Sequence, residues 1–426
     1  MNRLPARETI SEPARKVKVF AEAQVVVVGG GPGGVSAAIA AAREGADTIL
    51  VERYGHLGGM ATGGLVLMLN NFPPGQGQEW KDRLEPLGGL RDISQTREPG
   101  LTRHSFMADP ELLKCVLNDM ACQAGVRLVL HSWGASAIVE QNSVKGIIFE
   151  SKSGRQAIMG EVIIDATGDG DIFASAGAEF DGNIDQAVRS SQMAMVFRIG
   201  NLDFDKFSDF RINNPEKWQK IRDEVDGVAG FHIGPVPASR SDVVWINSFI
   251  KGLSPIKVED LTQVETNVRK AMLPIYEYYK KRVPGFENSF IYDSASQIGT
   301  RGSRRLIGEY VLTKHDLDSR KTFSDTVAVF PRGAGPQAPE NQPLPYRCLV
   351  PSKMDGLLVA GRCFSSDPVA NNLFNVILHC VVMGQAAGTA AALSVKNKVN
   401  PRQVDYKVLR QRLSAQGMYL PKIENI

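Results

Sequence analysis

At 426 residues the chain exceeds what one ordinary hydrophobic core supports, so its length implies two or three domains or one domain with a large insertion. With 43% hydrophobic and 22% charged residues and 41 glycines, the composition excludes a disordered chain and points to α/β folds, whose tight turns use glycine. A net charge of +3, from 49 basic and 46 acidic residues, provides no field for nucleic acid or an anionic membrane. The five cysteines (115, 122, 348, 363 and 380) form no Cys-x-x-Cys pair and no zinc-ligand spacing, which implies a reducing compartment, no metal site and a cytoplasmic protein. Residues 1–20 contain no apolar run, so neither a secretory leader nor a membrane span is expected there.

Four consecutive valines, Val25 to Val28, predict a strand buried on both faces. The glycine-rich turn after it leads into the small-residue run 35–42, a helix suited to close packing, and residues 48–52 predict the next parallel strand. Residues 65–105 show little periodicity and read as a long irregular segment over the active site. Asp109-Pro110-Glu111 starts a helix, with Asp109 as N-cap and Pro110 at the first helical position; the helix ends near Gly125. Strand patterns follow at 126–130, 136–140, 144–150 and 161–166. From 187 to 295 the pattern turns polar, aromatic and proline-rich, with a helix over 264–281, and reads as an inserted α+β substrate domain. Residues 355–361 resume the buried-strand pattern and 375–393 form a long small-residue helix, so residues 296–426 return to the domain begun by 1–186.

Gly29-x-Gly31-x-x-Gly34, with Pro32 and Gly33 inside it, lies between strand and helix. There such glycines let the backbone approach a pyrophosphate at a helix N-terminus. Glu52 stands at the end of the second strand, where an acidic residue receives the ribose hydroxyls of an adenosine. The fingerprint itself fits the adenosine half of either NAD or FAD.

The segments that distinguish the two are Gly55-His56-Leu57-Gly58-Gly59-Met60-Ala61-Thr62-Gly63-Gly64, residues 163–171 with Ala166-Thr167-Gly168, Arg301-Gly302-Ser303-Arg304-Arg305, Pro345 to Pro351, Leu357 to Arg362 and Gly384 to Gly388. In order and spacing they resemble the FAD-dependent oxidoreductases with a glutathione-reductase-type FAD-binding domain, including the leader Pro13-Ala14-Arg15. The resemblance implies an α/β, Rossmann-like fold and non-covalent FAD. It assigns to the cofactor Gly29, Gly31, Pro32, Gly33, Gly34, Glu52, Arg53, Gly58, Gly59, Met60, Ala61, Thr62, Ala135, Ala166, Thr167, Gly168, Gly361, Arg362, Asn375 and Val376. The helix starting near Asn375 would aim its first amides at the flavin carbonyl beside the pyrimidine nitrogen. Three positions depart from the pattern: Asn375 stands where many relatives carry Arg, His379 where many carry Pro, and Arg362 where many FAD domains carry an acidic residue. His56 lies near the place of covalent flavin attachment in related proteins, but alignment on Gly63-Gly64 puts Leu57 there.

For catalysis the sequence offers Arg301 as a clamp on a substrate carboxylate or carbonyl, Tyr346 as a proton donor on a proline-rich loop, and His379 as a base or ribityl contact. Each has a structural alternative: a domain-bridging arginine, an interface tyrosine or a satisfied core histidine. The expected function is a dehydrogenase or oxidase that takes a hydride from a small organic substrate and passes electrons to oxygen, a quinone or a carrier protein, with oligomerisation left open. The rival readings are a flavin monooxygenase using NAD(P)H and oxygen, a flavin-binding RNA-modification factor, and a non-catalytic flavin-binding subunit.

Overall fold

The structure, a computed structural model, describes residues 11–94, 105–183, 192–332 and 340–421. Strand β1 (Lys18–Val28), helix α1 (Pro32–Arg43) and strand β2 (Thr48–Val51) form the first βαβ unit. Val25 and Val27 enter the hydrophobic core on one side of the sheet and Val26 and Val28 the core on the other. All four are at most 2% exposed, which is why no polar residue interrupts the run.

The expected irregular segment at 65–105 is instead largely ordered. It contains β3 (Met68–Asn70), α2 (Gln76–Leu84), β4 (Leu90–Asp92) and the start of β5 (Ser105–Ala108), while 95–104 lie outside the described residues. Helix α2 is polar apart from Trp80 and Leu84, which share one buried face at i, i+4 spacing; that stripe is too narrow to register as a periodic pattern. Helix α3 (Pro110–Gln123) starts as expected, the Asp109 carboxylate accepting from the amides of Glu111 and Leu112 at 3.0 and 3.1 Å.

Strands β6 (Arg127–Val129), β7 (Trp133–Glu140), β8 (Ser143–Ser151) and β9 (Gly154–Asp165) complete most of the main sheet, followed by the short helix α4 (Asp171–Ser175). The order is β6-β2-β1-β9-β8-β7, with β6, β2, β1 and β9 parallel. Strand β9 is long enough to serve two partners on one edge: its first half pairs antiparallel with β8 and its last three residues pair parallel with a strand from the C-terminal return.

Beyond β10 (Phe180–Asp181), the expected boundary at 186–187 lies outside the described residues. The chain then forms β11 (Met193–Ala194), β12 (Phe197–Gly200), α5 (Phe204–Asn213), α6 (Pro215–Ala229), β13 (His232–Pro237), β14 (Val243–Phe249), α7 (Val258–Arg282) and β15 (Phe290–Ser294). Four of these strands make an antiparallel sheet of order β13-β14-β12-β15. It has its own aromatic core, in which the Phe286 ring packs against those of Phe207 and Tyr279 with centroids 5.2 Å apart in each pair. Helix α7 runs longer than the expected 264–281 and contains Pro274.

The return consists of β16 (Gly299–Thr300), β17 (Arg305–Leu306), α8 (Lys314–Asp318), β18 (Thr326–Arg332), β19 (Glu340–Pro345), β20 (Leu357–Val359), α9 (Pro368–Phe374), α10 (Ile377–Asn397) and α11 (Tyr406–Ala415). Strand β20 is the one that pairs with the end of β9. Helix α10 is long and apolar enough to cross a membrane by composition, yet it is buried in the fold from Ile377 to Ser394 and packs on α1. The glycines set that distance. A Cβ on Gly384 would lie 2.1 Å from the Gly33 carbonyl oxygen, and one on Gly388 2.0 Å from that of Ala37.

Candidate active site

The ends of β1, β2, β9 and β20, together with the start of α10, surround a cavity of about 550 Å3, within the range of small-molecule sites. Gly29, Gly31, Pro32 and Gly33 line it at the start of α1, whose first amides have no partner within the helix. At Gly29 and Gly34 this turn leaves no room for side chains, whereas Gly31 faces open space. A Cβ on Gly29 would sit 2.5 Å from the Ala166 carbonyl oxygen, and one on Gly34 1.7 Å from that of Gly29.

Glu52 lines the cavity beyond the turn, its carboxylate accepting from the amides of Gly30 at 2.6 Å and Tyr54 at 2.8 Å. Burial raises its pKa, and these two bonds oppose the rise. Arg53 lies 4.9 Å over the Tyr54 ring and 5.1 Å over the Trp133 ring, and both Arg53 and Trp133 border the cavity. On the opposite wall, Ala166, Thr167 and Gly168 form the turn after β9. Asp165, fully buried, organises it by accepting from the Thr167 amide and hydroxyl and from the amides of Ile172 and Phe173, at 2.7–3.0 Å. Burial pushes the Asp165 carboxyl up to about 6 against these bonds. Sequence reasoning passed over Asp165, although a carboxylate closing an apolar strand before a small-residue turn was a visible signal.

Gly361, Arg362, Asn375, Val376 and His379 line the far end. Helix α10 begins at Ile377, two residues past Asn375: Asn375 closes α9 and Val376 is the N-cap of α10. Asn375 donates from Nδ2 to the Arg301 carbonyl at 2.8 Å, while its Oδ1 has no protein partner although the residue is 8% exposed. His379, 2% exposed, stacks on Phe330 with centroids 4.5 Å apart. Arg301 also lines the cavity, as do Trp245, Asn247 and Phe249, which alternate along β14.

Several expected cofactor contacts stand behind this wall. Gly34, Gly58, Ala61 and Thr62 do not border the cavity. Gly34 brings α1 against the turn, and the Thr62 hydroxyl donates to the Leu57 carbonyl at 2.7 Å, shaping the loop from within; Gly59 and Met60 of that loop do reach the cavity. Ala135 is likewise displaced. Ser132, Trp133 and Gly134 take the lining position, because the pairing of β7 with β8 shifts between Gly134 and Ser136.

Tyr346 is a correction. It is 3% exposed and does not line the cavity, and its hydroxyl donates to the Pro401 carbonyl at 2.8 Å. Burial drives its pKa far upward, so it is a core tyrosine and not a proton donor; of the proline-rich stretch before it, 336–339 lie outside the described residues. Arg304 and Arg305, which follow Arg301, do not line the cavity: Arg304 bonds Asp171 at 2.9 Å, and the buried Arg305 bonds Asp181 at 2.5 Å.

The family model for FAD-dependent oxidoreductases matches residues 24–413. The chain belongs to that family. The enzyme is therefore an FAD-dependent oxidoreductase, and its cavity fits the group: a glycine-rich turn at a helix N-terminus, a carboxylate at the end of β2, and a second helix N-terminus bordered by an unpartnered Asn375 oxygen.

Thiamine thiazole synthase of Methanococcus vannielii is 29% identical over 155 residues, 34% of this chain, and the match spans just over half (56%) of that protein. Among solved structures, a geranylgeranyl bacteriochlorophyll reductase-like protein of Thermoplasma acidophilum aligns with a TM-score of 0.49 at 15% identity, over 93% of this chain and 83% of its own. The p-nitrophenol 4-monooxygenase of Pseudomonas putida aligns with a TM-score of 0.49 at 11% identity, over 93% and 88%. At these scores the likeness says nothing about substrate or reaction.

Proposed function

We propose that this oxidoreductase binds FAD non-covalently along the cavity, adenosine at Glu52 and flavin at the start of α10. In this reading a small organic substrate is oxidised between the flavin and the insertion of residues 187–295. The observation that carries the reading is continuity: one space runs from the 29–34 turn to Trp245, Asn247 and Phe249 of β14. When bound, FAD supplies two-electron redox chemistry, taking a hydride equivalent from the substrate.

The chain's own residues bind, orient and exclude water. A carboxylate has more acceptor sites than the two amides on Glu52 use, which leaves room for ribose hydroxyls. Trp245 and Phe249 give the substrate an apolar wall, and the Arg301 guanidinium at the same end suits a carboxylate or carbonyl. His379 borders the reacting end as a candidate base or ribityl contact. Cys380 also lines the cavity, but burial pushes its thiol up to about 12, which leaves little thiolate to attach a flavin.

The test is direct. Purified protein should be yellow or take up FAD, and anaerobic addition of a true substrate should bleach the flavin band. Reoxidation by oxygen, a quinone or a carrier protein then identifies the acceptor. A colourless protein that cannot be reconstituted overturns the reading; bleaching by NAD(P)H alone replaces it with a monooxygenase or a reductase.

A further inference from the structure

Arg362 occupies an unusual place. The residue before it, Gly361, lies between two helix N-termini: a Cβ on Gly33, in the first turn of α1, would come 3.3 Å from the Gly361 Cα, and a Cβ on Gly361 would lie 3.9 Å from the Cys380 sulfur in the first turn of α10. Both helix ends carry partial positive charge. The Arg362 side chain, 11% exposed, adds a full positive charge on the cavity wall.

That charge is held rigidly. Nη2 donates to Asp169 Oδ1 at 3.1 Å, and Nη1 donates to the Thr300 hydroxyl at 2.7 Å and to the Thr300 carbonyl. Asp169 is fixed in turn by the Ser303 hydroxyl at 2.7 Å, and the Arg362 carbonyl by Asn371 Nδ2 at 2.7 Å. The guanidinium rests against the bare α-carbon of Gly168, where a Cβ would be 2.5 Å from Nη2. Gly168 has φ +81, so the turn both requires glycine and makes room for the arginine. Three of the five guanidinium N–H donors are engaged in these bonds, which leaves two for a ligand.

We propose that Arg362 and Asp169 are a charge-balanced pair that sets FAD affinity and flavin potential, with Arg362 touching the cofactor and Asp169, Thr300 and Gly168 positioning it. The proposal rests on FAD occupying this cavity. The cation stabilises the electron-rich reduced flavin and raises its potential, while Asp169 partly cancels the field. Because the two residues carry opposite charge, removing each must move the potential in opposite directions.

The experiment compares Arg362→Gln, Arg362→Lys, Asp169→Asn and Gly168→Ala with the wild type. It measures the FAD dissociation constant of the apoprotein, the flavin midpoint potential and the melting temperature without FAD. Arg362→Gln should weaken FAD roughly 10- to 100-fold and lower the potential. Asp169→Asn should raise the potential, and Arg362→Lys should keep it near wild type while losing affinity, since an ammonium cannot make the same fork. Gly168→Ala should resemble Arg362→Gln. A purely structural pair would lower the apoprotein melting temperature without opposite-signed shifts in potential. Unchanged FAD binding in Arg362→Gln, or shifts of the same sign in the two charge variants, overturns the proposal. If the wild type itself takes up no FAD, the cofactor reading fails first.

Discussion

The main sheet and the inserted sheet bury their surfaces by different means. Around the main sheet, main chain meets main chain: α10 approaches α1 through Gly384 and Gly388, and the 29–34 turn closes on Ala166 with no space for a methyl group. In the insertion, large rings fill the gap between sheet and helices through Phe207, Tyr279 and Phe286, and Phe290 and Tyr292 remain exposed on the edge strand β15. Contacts between main chains tolerate no added carbon, whereas a ring-filled core accepts substitutions of similar volume. The first arrangement suits a cofactor that never changes and the second a substrate wall that can.

The sharpest way to break this comparison is Gly34→Val, whose side chain would overlap the Gly29 carbonyl. Folded, yellow protein should be lost at a cost of about 4 kcal/mol or more, read by thermal melting and flavin absorbance. Next is Asp165→Asn, which turns an amide group towards the Ile172 and Phe173 amides and should cost about 2 to 3 kcal/mol with weaker FAD retention. The wild type carries a pH signature from the same residue. Its carboxyl is raised from 3.8 to about 6 on folding, so the folded state binds more protons between those values. The contribution to stability should be fully present below about pH 4, fall as pH rises to about 6 and then level off, in urea melts from which the Asn variant lacks this slope.

On the insertion side, Phe249→Ala should raise the substrate KM about tenfold while FAD affinity stays unchanged, since an apolar contact is lost only at that end. A parallel loss of FAD would blur the division between the two regions. Smallest of all, Tyr346→Phe should cost about 1 kcal/mol in denaturant melts, with turnover intact, for the loss of one buried hydrogen bond to Pro401.

The nucleotide-binding unit was legible because backbone geometry dictated its residues: valines for a doubly buried strand, glycines where carbonyls lie within 3 Å of a missing Cβ, Asp109-Pro110 for a helix start. The rest was hidden for identifiable reasons. Helix α2 has a polar sequence in which only Trp80 and Leu84 are apolar, so they give too thin an apolar stripe. Ala135 was misplaced by a one-residue shift in strand pairing, which local pattern does not reveal. Tyr346 followed a proline-rich stretch that suggested an exposed loop, whereas it anchors the core through Pro401. The β14 wall and the Arg362–Asp169 pair depend on segments distant in sequence, 193 residues apart in the latter case, and no local signal announces such meetings.

The junction of α1 with α10 also bears on how the chain is made. Ser36 donates its hydroxyl to the carbonyl of Val381 at 2.7 Å, across 345 residues. During synthesis the glycine turn and the first strands leave the ribosome long before the helix that covers them, so their apolar face must wait uncovered while the insertion, whose core draws on 197–286, can collapse on its own. Nascent chains stalled before residue 377 should therefore engage chaperones through the amino-terminal third and release them only once α10 has emerged.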